Sequence, residues 1–532
     1  MTTPAVWAPA ASSVELVTDE GRAPMNRDGE WWRAGSDVPA GTRYAFAVDG
    51  SDAMPDPRSA SQPEGVHGRS VTVDHADYPW RHSEFTGPAL ADSVLYELHV
   101  GTFSAEGTFA GAARHLDALV DLGVTTVELM PVAEFPGSRG WGYDGVDLFA
   151  PHHGYGGPEE LKALVDACHA RGLSVVLDVV YNHLGPDGNY LGAFGPYFTD
   201  RFNTPWGAAV NLDDRGSDDV RAFIVDNALM WLRDYRFDGL RLDAVHALLD
   251  QSATHILEDM AIAVDQFESN KFLIAESDLN DPRLVRRRDV GGYGVHAQWC
   301  DDFHHALHAM VTGERDGYYA DFGRIEDLAE ALRYGFVFRG QHSPFRGRRH
   351  GRPPEGVSLT QMIGYSQNHD QIGNRAAGDR LGRLASDGGV RIAAALVLLG
   401  PLTPMLFQGE EWGASTPFQY FTDHENPELG RAVSEGRKRE FAAFGWSPDD
   451  VPDPQAQSTF DASRLHWDER EKPNHAGLLA FYKDLIALRR SRPELRNGAA
   501  EVSVEGDARL VMRRGDVVVT ADFAADTVAI DA

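Results

Sequence analysis

FDGLRLDAVHALL, Phe237 to Leu249, sets an Arg, two Asp and a His inside an otherwise apolar run. Read as a strand, its side chains alternate with period two: Phe237, Gly239, Arg241 and Asp243 share one face, and Leu240, Leu242 and Ala244 share the other. Arg241 and Asp243 are then neighbours. Taken alone, the stretch fits a structural ion pair as well as it fits a functional site, because structural pairs also perturb carboxylates. The rest of the chain decides between the two.

Seven further segments read as short strands: SVLYELHV, TTVELM, SVVLDVV, KFLIAES, HAQWCDDF, MIGYSQNHD and LTPMLFQGEE. With FDGLRLDA they make eight, the number that closes a (β/α)8 TIM barrel. Between them lie helix-length segments with apolar residues at three- and four-residue spacing, among them FAGAARHLDALVDLG, PEELKALVDACHARG, SDDVRAFIVDNALMWLRDY and GVRIAAALVLLG. The fold class is α/β. Long connections from Pro131 to Gly157 and from His183 to Gly216 belong at the C-terminal mouth of such a barrel, where chemistry is done.

Both ends of the chain have a different texture. Up to about Trp80, short alternating segments (SSVELVT, EWWRAG, TRYAFAVDG, RSVTVD) are broken by Gly, Pro and Asp, as in a β-sandwich. After the helical HAGLLAFYKDLIALRRSRPEL come EVSVEG, ARLVMRRG, DVVVTADF and DTVAIDA, a second alternating set. The expected organisation is an N-terminal β-sandwich over residues 1–85, the barrel over 86–495 and a small C-terminal β-sandwich over 496–532.

Composition limits what this surface can bind. Across 532 residues, 49 basic and 80 acidic side chains give 49 − 80 = −31, which disfavours nucleic acid and anionic membranes as partners. The two cysteines, Cys168 and Cys300, are too few and too far apart for a disulfide framework or a Cys-rich metal site. The N-terminus lacks a basic start and a continuous apolar core, and no run is long enough to span a bilayer, so the chain reads as soluble and cytoplasmic.

Four of the strands carry ionisable or polar residues at their ends: Asp178, Asn182 and His183; Arg241, Asp243 and His246; Glu276; and His369 with Asp370. In a barrel these ends converge. One could be a salt bridge, but four polar termini require a common polar site, because unpaired buried charges cost several kcal/mol. No nucleophile elbow, dinucleotide-binding glycine motif or phosphate loop is present. Three acids with His and Arg donors suit glycosidic-bond chemistry, in which one carboxylate attacks and a protonated partner serves the leaving oxygen. A zinc site built from His183, Asp243, Glu276 and His369 is disfavoured. Neither HExxH nor paired Cys spacing is present, and Arg241 beside Asp243 would repel a cation. No metal or other cofactor is expected.

DVVYNH, GLRLDAVH, IAES and QNHD, in this order between Asp178 and Asp370, resemble the four motif regions of the α-amylase family, glycoside hydrolase family 13. The likeness extends over essentially the whole chain and is greatest to its trehalose-releasing branch. It is carried by VLYELHVGTFS (Val94 to Ser104), RGWGYDGV (Arg139 to Val146), AESDLNDPR (Ala275 to Arg283), QWCDDFHHALH (Gln298 to His308) and QNHDQIGNRAAGDR (Gln367 to Arg380).

The resemblance implies hydrolysis of the α-1,4 bond beside the terminal trehalose of maltooligosyl trehalose, releasing trehalose with retained configuration. It also implies roles: Asp243 as nucleophile, Glu276 as general acid/base, and Asp370 as the group that orients the sugar. Arg241 would hold Asp243 ionised, His183 and His369 would hydrogen-bond the sugar, and Tyr143 would stack beneath it. For trehalose itself it points to His246, Asp301, Asp302, His304, His305, Gln371 and Asn374.

Plainer readings stand beside several of these. Asp178 and Asn182 are expected as scaffolding that holds Arg241 and His183, and His304 and His305 could equally be helix-start residues facing water. Trp31 and Trp32 read as sandwich core before sugar platform. The basic run RGRRHGR, Arg346 to Arg352, reads as a loop beside an acidic mouth. The competing functions are another member of the family, such as a glycogen branching or debranching enzyme, and a catalytically dead barrel used for binding.

Overall fold

A computed structural model describes residues 2–442, 447 and 451–532. Its centre is a closed barrel of eight parallel strands: β1 (Leu95–Leu98), β2 (Thr126–Leu129), β3 (Ser174–Val179), β4 (Gly239–Leu242), β5 (Phe272–Ala275), β6 (Ala297–Trp299), β7 (Met362–Gly364) and β8 (Thr403–Phe407). Neighbours in sequence are neighbours in space, and β8 closes onto β1. These are the eight segments expected from the sequence.

Period-two alternation sorts the barrel interior into layers. Leu95, Val176, Phe272, Ile274, Ala297, Ile363 and Met405 form a dry floor. Gly239 is needed there, because a Cβ on it would come within 2.4 Å of the Phe272 ring. The next layer toward the mouth is polar, with Glu97, Glu128, Asp178 and Arg241 all nearly inaccessible. The register pairs Glu97 with Glu128 and Asp178 with Arg241. Such a layer is stable only if its charges answer one another.

The helices sit outside this sheet, including Gly157–His169, Ser217–Arg233, Asp387–Leu399 and Pro473–Ser491. The segment read as one helix over FAGAARHLDALVDLG is two, Phe109–Ala113 and Leu116–Leu122. The break turns His115 flat against Trp467, 4.0 Å between ring centres.

The N-terminal strands form a three-stranded and a four-stranded antiparallel sheet, and Val6, Trp7, Leu16, Trp32 and Phe46 belong to their shared apolar core. Trp32 is buried and donates to the Ala8 carbonyl at 3.2 Å. Trp31 donates to Asp219 on helix Ser217–Arg233 at 3.0 Å, so neither ring is a free platform. The last strands, Glu501–Glu505 to Thr527–Asp531, make one four-stranded antiparallel sheet. Barrel helices Ile325–Tyr334 and Asp387–Leu399 pack against it, where a second sheet would lie in a sandwich. Among the described residues, no helix is long and apolar enough to cross a membrane.

Candidate active site

Asp243 and Glu276 each stand one residue beyond a strand, at the ends of β4 and β5. The two ends are tied together: Glu276 N–H donates to the Leu242 carbonyl and Val245 N–H to the Glu276 carbonyl, both at 3.0 Å. Ala244 between them is left-handed (φ 39°, ψ 51°), a conformation that costs a non-glycine residue about 1 kcal/mol or more. Its amide N–H donates to Glu276 Oε2, and the turn Val245–Ala247 that follows brings His246 to the surface of the mouth. Backbone strain is thus stored at the junction of the two acids.

Beneath them lies Arg241, wholly buried, its guanidinium carbon 4.1 Å from the centre of the Trp299 ring. Nη1 reaches Asp178 Oδ1 and Oδ2 at 2.8 and 2.7 Å and Asp243 Oδ1 at 2.9 Å, while Nη2 stands 3.5 Å from Glu276 Oε2. Burial opposes this charge, but Asp178, Tyr143 and Asp243 hold Arg241 protonated. Asn182 Nδ2 donates to Asp243 Oδ2 at 2.7 Å and to its carbonyl at 2.8 Å. Asp243 is therefore gripped by two donors on one side and open on the other.

Glu276 has the opposite environment. Burial above all pushes its carboxyl up to about 8; Arg241 counteracts, and the charges of Asp243 and Asp370 add to the rise. A neutral acid facing an Arg-bound carboxylate is the division of labour that acid-assisted nucleophilic cleavage needs.

The third acid, Asp370, opens the short helix His369–Gly373, capped by the Asn368 side chain, which accepts from Gln371 N–H at 2.9 Å. Asn374 Nδ2 donates to its Oδ1 at 3.2 Å. His369 is buried, with Nε2 2.8 Å from Tyr143 Oη and its ring stacked on Tyr143. His183 contacts the Asn182 side-chain oxygen through Nδ1 and the Tyr143 carbonyl through Nε2 at 3.0 Å, so both ring nitrogens are engaged by protein. Burial lowers its pKa.

These groups line one cleft of about 660 Å³. Of the residues expected from sequence, Asp243, Glu276, Asp370, Tyr143, His183, His246, His369 and Asn374 face it. Arg241 lies under its floor. Asp301 stands just behind, receiving the Tyr365 hydroxyl, and burial first, then Asp278 and Asp370, push it up to about 7. Gln371 accepts from Tyr318 at 3.3 Å.

Asp302, His304 and His305 are not brought to the cleft. Asp302 Oδ2 accepts from Asn280 Nδ2 and from the amides of Val337 and Phe338 at 2.7–3.0 Å, which pins a loop. The reading of His304 and His305 as water-facing is corrected. Both are buried, because the start of helix Asp301–Thr312 is covered by Tyr318, Tyr319 and Phe322. His304 Nε2 pairs with Tyr319 Oη at 3.0 Å, and burial holds His305 down at about 3.

The cleft also contains residues the sequence reading did not single out: Trp141, Asp144, Trp206, Asp278, Tyr420 and Arg437. Trp206 is 48% exposed and lies parallel to His183, 4.8 Å between centres. Its signal was visible as a Trp in a Pro–Trp–Gly turn within a mouth loop. Asp278 pairs with Arg346 at 2.9 Å, which brings the basic run to the acidic mouth as expected. Asp178 and Asn182 hold Arg241, Asp243 and His183, the scaffolding role expected of them.

One group of His and Glu among the described residues is close enough to hold a cation: Glu134, His152 and His153. Its carboxylate already contacts both rings through Nδ1, at 3.2 and 2.7 Å, so hydrogen bonding accounts for the cluster.

Comparison with known proteins gives the family of the chain. A family described as Alpha amylase, catalytic domain, matches residues 62–193. The chain is 52% identical to a malto-oligosyltrehalose trehalohydrolase of Rhizobium sp. (strain M-11), over 99% of this chain and 91% of the relative. It is 54% identical to the enzyme of that name from Arthrobacter ramosus, over 92% and 87%. A crystal structure described as an alpha amylase from Salmonella typhimurium superposes with a TM-score of 0.91 at 39% identity, covering 98% of this chain and 91% of that one.

Proposed function

Because the chain belongs to the malto-oligosyltrehalose trehalohydrolases of the α-amylase family, we propose that the site cleaves maltooligosyl trehalose and releases trehalose. The α-1,4 bond next to the terminal trehalose unit is hydrolysed with retention. The observation that supports the residue roles best is the unequal treatment of two acids at adjoining strand ends: Asp243 is held by Arg241 and Asn182, and Glu276 is pushed up to about 8.

In this reading Asp243 attacks the anomeric carbon while Glu276 gives its proton to the oxygen of the departing trehalose. Glu276, now a carboxylate, then takes a proton from the water that frees the malto-oligosaccharide from Asp243. Asp370, braced by Asn374 and beside His369, orients the sugar. His246, exposed beside Asp278, lies where the trehalose unit would lie. The glucan end runs past Trp206 and His183, whose stacked rings offer an apolar face. Both cysteines are buried and free, which suits a reducing compartment, and we place the reaction in the cytoplasm.

The test is a product assay. Purified protein incubated with maltooligosyl trehalose yields free trehalose by chromatography and leaves the iodine colour of amylose unchanged. A change in that colour without trehalose favours a branching enzyme and sinks the reading.

A further inference from the structure

Below the mouth, β1 and β2 set two buried carboxylates side by side as register partners, Glu97 and Glu128. Their surroundings differ. Glu97 Oε2 accepts the His369 backbone N–H at 3.0 Å, and its Oε1 contacts His369 Nδ1. Neither oxygen of Glu128 has a hydrogen-bond partner among the described residues, and burial, then Glu97 and Asp178, push its carboxyl well above the usual range. Glu128 is thereby kept neutral, and Glu97 alone of the two engages the ring.

The far side of the ring fixes the proton count. Tyr143 Oη donates its one proton to Asp178 Oδ2 at 2.5 Å, so at 2.8 Å it accepts from His369 Nε2. A carboxylate offers only acceptors, so Nδ1 donates to Glu97 as well. Two donating nitrogens make the ring an imidazolium.

We propose that Glu97 is a positioning residue for the sugar-cleaving reaction: by gripping both the backbone and the ring of His369, it sets a fixed positive charge at the cleavage point and keeps the Nε2 proton on Tyr143. The inference rests on the function proposed above. It joins Glu97, His369, Tyr143, Asp178, Arg241 and Asp243 into one hydrogen-bonded chain from the barrel interior to the attacking carboxylate. The other charged neighbours agree with it. Asp370 stands 3.4 Å from Nε2 and favours the charge, Arg241 opposes it, and His99, held at about 4 by burial, is uncharged and does not repel. Against burial, Asp370 and Glu97 hold His369 at about 9.

Glu97→Gln separates charge from geometry. The amide can donate to Nδ1 of a neutral ring whose proton remains on Nε2, so the donor survives and the charge is lost. Imidazole-labelled NMR on the full chain, with the His369 signal identified by its loss in His369→Gln, should show an imidazolium at pH 7.5 in wild type and a neutral ring in Glu97→Gln. With maltooligosyl trehalose, kcat should fall about 100-fold at pH 7.5 with little change in KM. The deficit should shrink toward pH 6 as the ring reprotonates.

A wild-type ring neutral at pH 7.5, or a ring still charged in Glu97→Gln, overturns the proposal even if trehalose is released. If wild type releases no trehalose, the assigned reaction fails, and the NMR titration still decides the role of Glu97. Should Glu97→Gln not fold, the wild-type titration decides alone, and a midpoint below about 7 overturns the proposal.

Discussion

Arg241, on β4, and Asp243, one residue past its end, meet through a single nitrogen: Nη1 lies 2.9 Å from Asp243 Oδ1 while also holding Asp178 at 2.7 Å. The counter-charge of the proposed nucleophile is thus itself anchored from below. Arg241→Met removes the answer to two carboxylates in a layer nearly closed to solvent, and should destabilise the fold by about 3–5 kcal/mol in urea unfolding. A loss under about 1 kcal/mol would show that the layer does not depend on this cation.

Asp243→Ala should leave the fold intact, because Arg241 keeps Asp178 as its partner. It should abolish turnover. Residual kcat within about tenfold of wild type, which is about 1.4 kcal/mol of barrier, would refute the nucleophile role.

The pH dependence follows from Glu276, at about 8. In the proposed mechanism its proton is needed in the first step, so kcat/KM should fall tenfold per pH unit above about 8. Stability carries the same signature. With its folded pKa above the unfolded value, the native state binds the extra proton between the two, and stability falls as pH rises through that interval. Glu276→Gln should therefore be more stable than wild type at pH 8, by up to about 4 kcal/mol, with the difference vanishing near pH 4. Thermal melts at the two pH values check the sign; a variant less stable at pH 8 contradicts it.

Trp206, half exposed and parallel to His183, contributes apolar face with little structural burden. Trp206→Ala should raise KM for maltooligosyl trehalose about tenfold and change unfolding free energy by less than about 0.5 kcal/mol. Unchanged KM in steady-state kinetics would place the glucan elsewhere.

The barrel was legible because each of its strands reads as a short apolar run bounded by turns, and the acids because they fall where those runs end. Asp243 and Glu276 each lie one residue past a strand, so alternation alone aimed them at the mouth. Sequence failed where burial is made by distant segments. His304 and His305 look like the exposed start of a helix, and only the fold brings Tyr318, Tyr319 and Phe322 over them. Glu97 was passed over for the same reason: as one acid in a strand, it acquires meaning only when β7 delivers His369 to it. The left-handed turn at Ala244 gave no sign, since alanine is not a residue that advertises positive φ.

The central claim is that Asp243 and Glu276 together cleave the bond beside trehalose by double displacement. Time-resolved proton NMR of the purified chain acting on maltooligosyl trehalose tests it directly. Trehalose should appear together with a malto-oligosaccharide whose new reducing end is first the α-anomer, mutarotating afterwards. A β-anomer formed first, or glucan products without trehalose, would contradict it.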